Sequence, residues 1–71
     1  MEILVFKTNV EDKKHVRRLF KLFRALQGVL RWNVDLQDHD KVLRMETVAI
    51  SPRAIESTLH QAGYFCKELE D

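Results

Sequence analysis

The sequence predicts an α+β protein with a ferredoxin-like βαββαβ fold, in which two helices pack on one face of a four-stranded antiparallel sheet. The patterns of short strands and amphipathic helices follow one another in the order strand, helix, strand, strand, helix, strand. Two right-handed strand–helix–strand crossovers then place the strands in the order 4-1-3-2. A chain of 71 residues is long enough for one domain of this kind, so residues 1–71 are assigned to a single domain.

The first half-unit is a strand followed by a helix. Residues 2–8, EILVFKT, are rich in apolar and β-branched residues and too few for a helix, so they predict strand 1. Between about 12 and 27 the apolar residues recur at helical spacing, and Gly28 follows as a helix C-terminal cap. The apolar stripe of this helix consists of Val16, Leu19, Phe20, Phe23 and Leu26.

A hairpin is predicted next. Residues 29–36 alternate, which places Leu30, Trp32, Val34 and Leu36 on one face. Residues 41–48 alternate as well: Leu43, Met45 and Thr47 share one face of the strand, and the residues between them lie on the other face. The polar turn QDHD joins the two strands.

The second helix and the last strand complete the pattern. Ser51 is a typical helix N-cap, Pro52 suits the first helical position, and Gly63 marks the end of the helix. Its predicted buried stripe is Ile55, Leu59 and Ala62, and residues 64–69 form strand 4. Trp32 and the phenylalanines are expected in the core, with Phe20 and Phe65 the two that could be partly exposed.

The charge of the chain is distributed unevenly. The net charge is only +1, yet the segment from residue 13 to residue 31 holds seven basic residues and no acidic one. The rest of the chain is correspondingly acidic. Such a one-sided charge favours docking of an acidic protein surface. The basic residues are Lys13, Lys14, Arg17, Arg18, Lys21, Arg24 and Arg31.

Several functional classes find little support in the sequence. The longest apolar run is residues 3–6, and no basic-then-apolar leader precedes it, so we expect a cytoplasmic monomer without a membrane segment. The single cysteine, Cys66, excludes an internal disulfide and fits a reducing compartment. There is no glycine-rich phosphate loop and no nucleophile–base pair, so we expect no enzymatic activity. Nucleic-acid binding by the sheet is not expected, because strand 3 lacks aromatic residues and strand 1 offers only Phe6.

Asp12 and His15 stand three positions apart at the start of helix 1. An aspartate at this place is most simply a helix cap, and a histidine among basic residues is most simply a solvated side chain. The topology brings three connections to one end of the sheet, and with them His39 and His60. A divalent ion held by Asp12 and His15, with His39 or His60, is therefore the alternative interpretation.

The sequence resembles the heavy-metal-associated domains of copper chaperones and metal-transporting ATPases. The resemblance is carried by FKTNV before helix 1, by GVLRWNVDLQDHDKVL through the hairpin, and by AGY at 62–64. It covers nearly the whole chain and implies the same sandwich fold. Members of this family hold one soft metal ion, usually Cu(I), between the cysteines of a Met-x-Cys-x-x-Cys loop, and dock acidic partner domains through helix 1 and this loop.

The chain departs from the family at the metal loop. When the two are aligned from Gly28, the family's cysteines fall on Asp12 and His15, and its methionine falls on Val10. A carboxylate and an imidazole do not suit Cu(I), so we expect a degenerate metal site and no bound cofactor. Tyr64, after the Ala-Gly pair, is expected near the loop.

The resemblance and the charge together predict a non-enzymatic interaction domain. Its partner would be an acidic protein surface, such as a domain of a metal transporter. The alternative is a protein of metal transport or homeostasis that binds a divalent transition metal (Zn, Ni or Cu) through Asp12, His15 and His39. The predicted docking residues are Lys13, Lys14, Arg17, Arg18 and Lys21.

Overall fold

The computed structural model describes residues 1–69, and their arrangement confirms the predicted ferredoxin-like architecture. All three pairs of neighbouring strands are antiparallel, and the sheet order β2-β3-β1-β4 is the predicted 4-1-3-2 read from the other edge. The elements are β1 Glu2–Thr8, α1 Lys13–Arg24, β2 Val29–Val34, β3 Leu43–Thr47, α2 Pro52–Gln61 and β4 Cys66–Glu68.

The core lies between the sheet and the two helices. Alternate side chains of the central strands β1 and β3 point into it, because successive residues of a strand face opposite sides. Phe23 packs edge-to-face on Trp32, with 5.0 Å between the ring centroids. The buried apolar residues are Leu4, Phe6, Val10, Leu19, Phe23, Leu43, Met45, Ile55, Leu59 and Cys66.

Both helices begin at the capping residues that the sequence indicates. Asp12 and Ser51 have extended backbone conformations, and each side chain accepts the backbone N–H three residues further on. These bonds satisfy donors that the first turn of a helix leaves without a partner.

The sequence predicted that Gly28 caps the C-terminus of α1, and this prediction is wrong. The helix ends at Arg24, and Ala25 is its C-cap. Gly28 has φ of +99°, and a Cβ there would lie 2.3 Å from the carbonyl oxygen of Val48. Its own carbonyl accepts the Val48 N–H at 2.8 Å. Glycine is therefore required by the close approach to the end of β3, not by the end of the helix.

The prediction that Leu30 lies on the same strand face as Trp32 and Val34 is wrong. Val29 pairs with Thr47 and Arg31 pairs with Glu46, so Leu30 is an extra residue in a β-bulge. The bulge interrupts the alternation and leaves Leu30 59% exposed, whereas Trp32 and Val34 pack against the core as predicted.

The buried stripe of α2 also differs from the prediction. Ile55 and Leu59 are buried, but Ala62 follows the last helical residue and is exposed. Glu56 is buried instead, and its two carboxylate oxygens accept from Arg53 Nη1 and the Glu68 N–H, both at 2.7 Å. This buried carboxylate connects α2 to β4, which is shorter than the predicted strand 4.

Two of the aromatic side chains lie outside the core. Phe20 is 55% exposed and Phe65 is 46% exposed, and these are the two for which the sequence left exposure open. Neither helix within residues 1–69 has the length and apolar character needed to cross a membrane.

Candidate functional site

The loop between β1 and α1 is anchored at its base. The Thr8 hydroxyl accepts the Val10 N–H at 3.2 Å and donates to the Lys41 carbonyl at 2.7 Å, while the Thr8 N–H donates to the Asp40 carbonyl at 3.1 Å. These bonds hold the end of the hairpin loop against the end of β1. Val10 is fully buried, so the position of the family's methionine is filled by a core side chain.

Asp12 functions as the N-cap of α1. Its Oδ1 accepts the His15 backbone N–H at 3.0 Å. This hydrogen bond holds the pKa of the Asp12 carboxyl below its ordinary value, and the nearby His15 acts in the same direction. The carboxylate is exposed and is thus ionised above acidic pH.

His15 contacts the opposite connection of the fold. Its Nδ1 lies 2.9 Å from the Tyr64 hydroxyl, and the two rings pack edge-to-face with centroids 5.5 Å apart. Its Nε2 lies 3.9 Å from Asp12 Oδ1. The expectation that Tyr64 lies near the loop is confirmed, and the contact links the first turn of α1 to the α2–β4 turn.

The other two histidines have separate surroundings. His60 Nε2 lies 3.0 Å from the Cys66 carbonyl oxygen, a contact that links α2 to β4. His39 is exposed at the hairpin loop, and no hydrogen bond or ion pair within residues 1–69 joins it to Asp12 or His15. The structure brings Asp12 and His15 together but does not add a third ligand: in the described part of the chain, no three His, Cys, Asp or Glu side chains form a group that could hold a metal ion.

The only thiol of the chain is buried. Cys66 is opposite Thr8 in the β1–β4 ladder and is 2% exposed. Burial raises the pKa of the Cys66 thiol to about 12, and the Glu56 carboxylate adds to the increase. Copper binds the thiolate form of cysteine, so neither this thiol nor the carboxylate–imidazole pair at the loop fits Cu(I).

The basic residues of α1 form an exposed surface, which we call the basic stripe. Its members are all exposed, and none forms an ion pair with a carboxylate among residues 1–69. The last turn contains Lys21 and Arg24, which suit the negative end of the helix dipole, but the first turn contains Lys13 and Lys14 and no acid. The stripe consists of Lys13, Lys14, Arg17, Arg18, Lys21 and Arg24.

Solved structures share this fold, among them the following two. The solution structure of the N-terminal domain of ZntA in its Zn(II)-form matches with a TM-score of 0.80 and 20% identity, over 96% of this chain and 92% of that one. A structure from work on crosstalk between Cu(I) and Zn(II) homeostasis matches with a TM-score of 0.82 and 11% identity, over 97% of this chain and 100% of that one. The fold implied by the family resemblance is confirmed. No family model matches the sequence, and no curated protein is significantly similar to it.

Proposed function

We propose that this protein is a metal-chaperone-like domain that acts as a non-enzymatic interaction module, and that its basic stripe docks the acidic surface of a partner protein. The observation that carries the proposal is the stripe itself: six exposed cations on one helix, without a carboxylate partner within residues 1–69. Unpaired cations on one face steer an oppositely charged partner toward that face.

Lys13 and Lys14 support an intermolecular role for the stripe. Both lie in the first turn of α1, where the positive end of the helix dipole disfavours cations. Asp12 directly precedes them in the chain, and its Oδ1 is engaged in capping the helix. The helix dipole therefore disfavours two lysines at this place, whereas an acidic partner would favour them.

The loop supports docking in preference to Cu(I) transfer. Asp12 caps the helix, and His15 is held by Tyr64 at 2.9 Å. Val10 is buried in the core. The three positions that would supply ligands in the resembled family thus have structural roles in this chain, and the donors do not suit Cu(I). We propose that the loop forms a rigid rim of the docking surface.

The partner is proposed to be an acidic domain of a metal transporter, met by a monomer in the cytoplasm. The structural neighbours come from the N-terminal domain of ZntA and from work on Cu(I) and Zn(II) homeostasis, which supports a place in metal handling. The basic stripe is the complement of an acidic surface.

A charge-reversal experiment tests the proposal. Partners are captured by cross-linking from extracts at low salt, with the wild-type protein and with Arg17→Glu/Arg18→Glu. We expect the variant to lose the specific partners, and the wild type to lose them as salt is raised, because exposed charges are screened.

The control is Arg44→Glu/Lys67→Glu, which makes the same change in net charge at exposed strand positions away from α1. Partners that survive Arg17→Glu/Arg18→Glu at low salt, or that are lost equally with the control, would contradict docking by the stripe.

A divalent ion at the loop is the second candidate function. His15 Nε2 and Asp12 Oδ1 are 3.9 Å apart, close to the spacing of about 3.3 Å between two ligands of a tetrahedral zinc ion. Calorimetric titration with Zn(II), Ni(II) and Cu(II) tests it, with His15→Ala as the comparison and Cu(I) competition against a strong chelator as the control. Binding that is no tighter than micromolar, or that persists in His15→Ala, excludes this site.

A further inference from the structure

An apolar groove lies between the C-terminal half of α1 and the edge strand β2. It is a shallow cavity of about 120 Å³. Phe20 on the helix and Leu30 in the β-bulge are 55% and 59% exposed at this groove. The residues that line it are Phe20, Phe23, Arg24, Val29, Leu30 and Trp32.

The exposure of the groove has a structural cause. Phe20 lies next to the buried Leu19 on the margin of the apolar stripe of α1, and it is not among the buried residues of this helix. Leu30 is turned outward by the bulge that separates Val29 from Arg31. Two large apolar side chains that remain in contact with solvent at one place are typical of a protein-binding surface.

The strand beside the groove has an open edge. Within residues 1–69, β2 is the first strand in the sheet order β2-β3-β1-β4 and pairs only with β3. An edge strand presents backbone N–H and C=O groups to which an extended peptide can add as a further strand. The groove and this edge are continuous, because Val29, Leu30 and Trp32 belong to both.

The charge around the groove selects the occupant. Arg24 lines the groove, Arg31 lies in the neighbouring strand, and Arg17 lies two turns before Arg24 on the same side of α1. All three are exposed, and none forms an ion pair with a carboxylate within residues 1–69, although Glu46 is the cross-strand neighbour of Arg31. A second copy of this chain would bring like charges together, whereas an acidic segment would be attracted.

We propose that the α1–β2 groove binds an extended, acidic segment of the partner protein as an additional strand on β2. One apolar side chain of the segment enters between Phe20 and Trp32, and its carboxylates, which alternate to the opposite face of the added strand, lie beside Arg31. Arg24 and Arg17 attract the acidic segment at longer range. The groove, at about 120 Å³, is somewhat smaller than the cavity of about 150 Å³ that holds benzene, so it has room for one aliphatic side chain such as valine. The inference rests on the proposed docking of an acidic partner and adds where and in which conformation that partner binds.

The sole tryptophan provides the assay, because Trp32 lines the groove. The probe is a synthetic peptide of strand length in which Asp and Glu alternate with Val and Phe. Two matched peptides replace every apolar residue by Ser, or the central residues by Pro, which cannot donate to a ladder. We expect only the first peptide to change Trp32 fluorescence and to shift the backbone amide resonances of Val29–Val34.

The variants Phe20→Ser and Leu30→Ser are expected to weaken binding of this peptide about tenfold, since each removes apolar surface that the peptide buries. The control Phe65→Ser changes an aromatic residue of similar exposure, 46%, next to the opposite edge strand and should bind as the wild type does. Phe20 and Leu30 are more than half exposed, so both variants should keep the wild-type fold, which the amide spectrum verifies.

The inference is overturned if the alternating peptide does not bind in the millimolar range, or if Phe20→Ser and Leu30→Ser bind it unchanged. Preferential binding of a single-stranded oligonucleotide, or a Phe20-dependent dimer seen by light scattering, would also overturn it. Partner capture distinguishes a failure of this inference from a failure of the proposed function. If capture is lost with Arg17→Glu/Arg18→Glu but kept with Phe20→Ser/Leu30→Ser, docking by the basic stripe stands and the groove is rejected as a binding site.

Discussion

Replacement of Gly28 by alanine tests how α1 is joined to the sheet. Gly28 has φ of +99°, and a Cβ there would lie 2.3 Å from the Val48 carbonyl oxygen and 3.0 Å from Ile50 Cγ1. Gly63 has a similar φ of +91°, but a Cβ there would meet no atom within 4 Å. The two glycines therefore share the backbone requirement and differ only in the space around them.

The expected losses follow from this difference. A left-handed backbone costs alanine about 1–2 kcal/mol, and the reduced entropy of the unfolded chain returns about 0.4–1 kcal/mol. Gly63→Ala should therefore lower the free energy of unfolding by about 1 kcal/mol. Gly28→Ala must also displace the Val48 carbonyl and disturb the 2.8 Å hydrogen bond from Val48 N–H to Gly28. Overpacking of this kind adds about 1–3 kcal/mol, for a total of about 2–4 kcal/mol.

Urea unfolding followed by Trp32 fluorescence measures both variants. With a denaturant dependence of about 1 kcal/mol per molar urea, the midpoint should fall by about 1 M for Gly63→Ala and by about 2–4 M for Gly28→Ala. Equal midpoints for the two variants, or a larger loss for Gly63→Ala, would refute the close approach at Gly28 as the reason for glycine there.

Three further experiments test the buried thiol and the loop between β1 and α1. The pKa of the Cys66 thiol is raised from 9.0 to about 12, so at pH 8 it has about a thousandfold less thiolate than an ordinary cysteine. Alkylation of Cys66 should therefore be at least about 100-fold slower in the native protein than in urea. Similar rates in the two conditions would contradict the burial of this thiol. The pKa of Asp12 is lowered in the folded protein, so the stability that its carboxylate contributes is complete above the ordinary value of 3.8 and is lost as the pH falls through the folded-state value. Asp12→Ala should therefore be less stable than the wild type at neutral pH, and the two stabilities should converge in acid. Asp12→Asn keeps a helix cap throughout. Tyr64→Phe removes the hydrogen bond to His15 and should lower the free energy of unfolding by about 1 kcal/mol. This loss should vanish in a His15→Ala background. The double-mutant cycle measures the interaction between Tyr64 and His15 directly.

The order of the elements and the beginnings of both helices could be predicted because local patterns govern them. Helical and alternating periodicities identify which residues can face a core, and Asp12 and Ser51 act on backbone groups only three residues away. The strand order followed from the crossover rule. Where a prediction was wrong, as at Leu30, the cause was a change in pairing with another strand that no local pattern records.

The candidate site could be predicted only in part. The basic stripe is visible in the sequence, since six of the seven cations between residues 13 and 31 belong to one helix. The groove between Phe20 and Leu30 was missed, because its existence depends on a bulge and on the distance between a helix and an edge strand. The one available signal was the position of Phe20 at the margin of the apolar stripe, where burial depends on the neighbouring strand.

The sequence by itself determined the element order, the sheet topology, the one-sided charge and the absence of cysteines from the loop between β1 and α1. Only the tertiary structure decided that His15 contacts Tyr64, 49 positions away, that Glu56 is buried against β4, and that Leu30 is exposed. The physical reason is the range of the interactions. Helix caps and periodicity act within a few residues, whereas these contacts depend on which side chains the sheet register brings together.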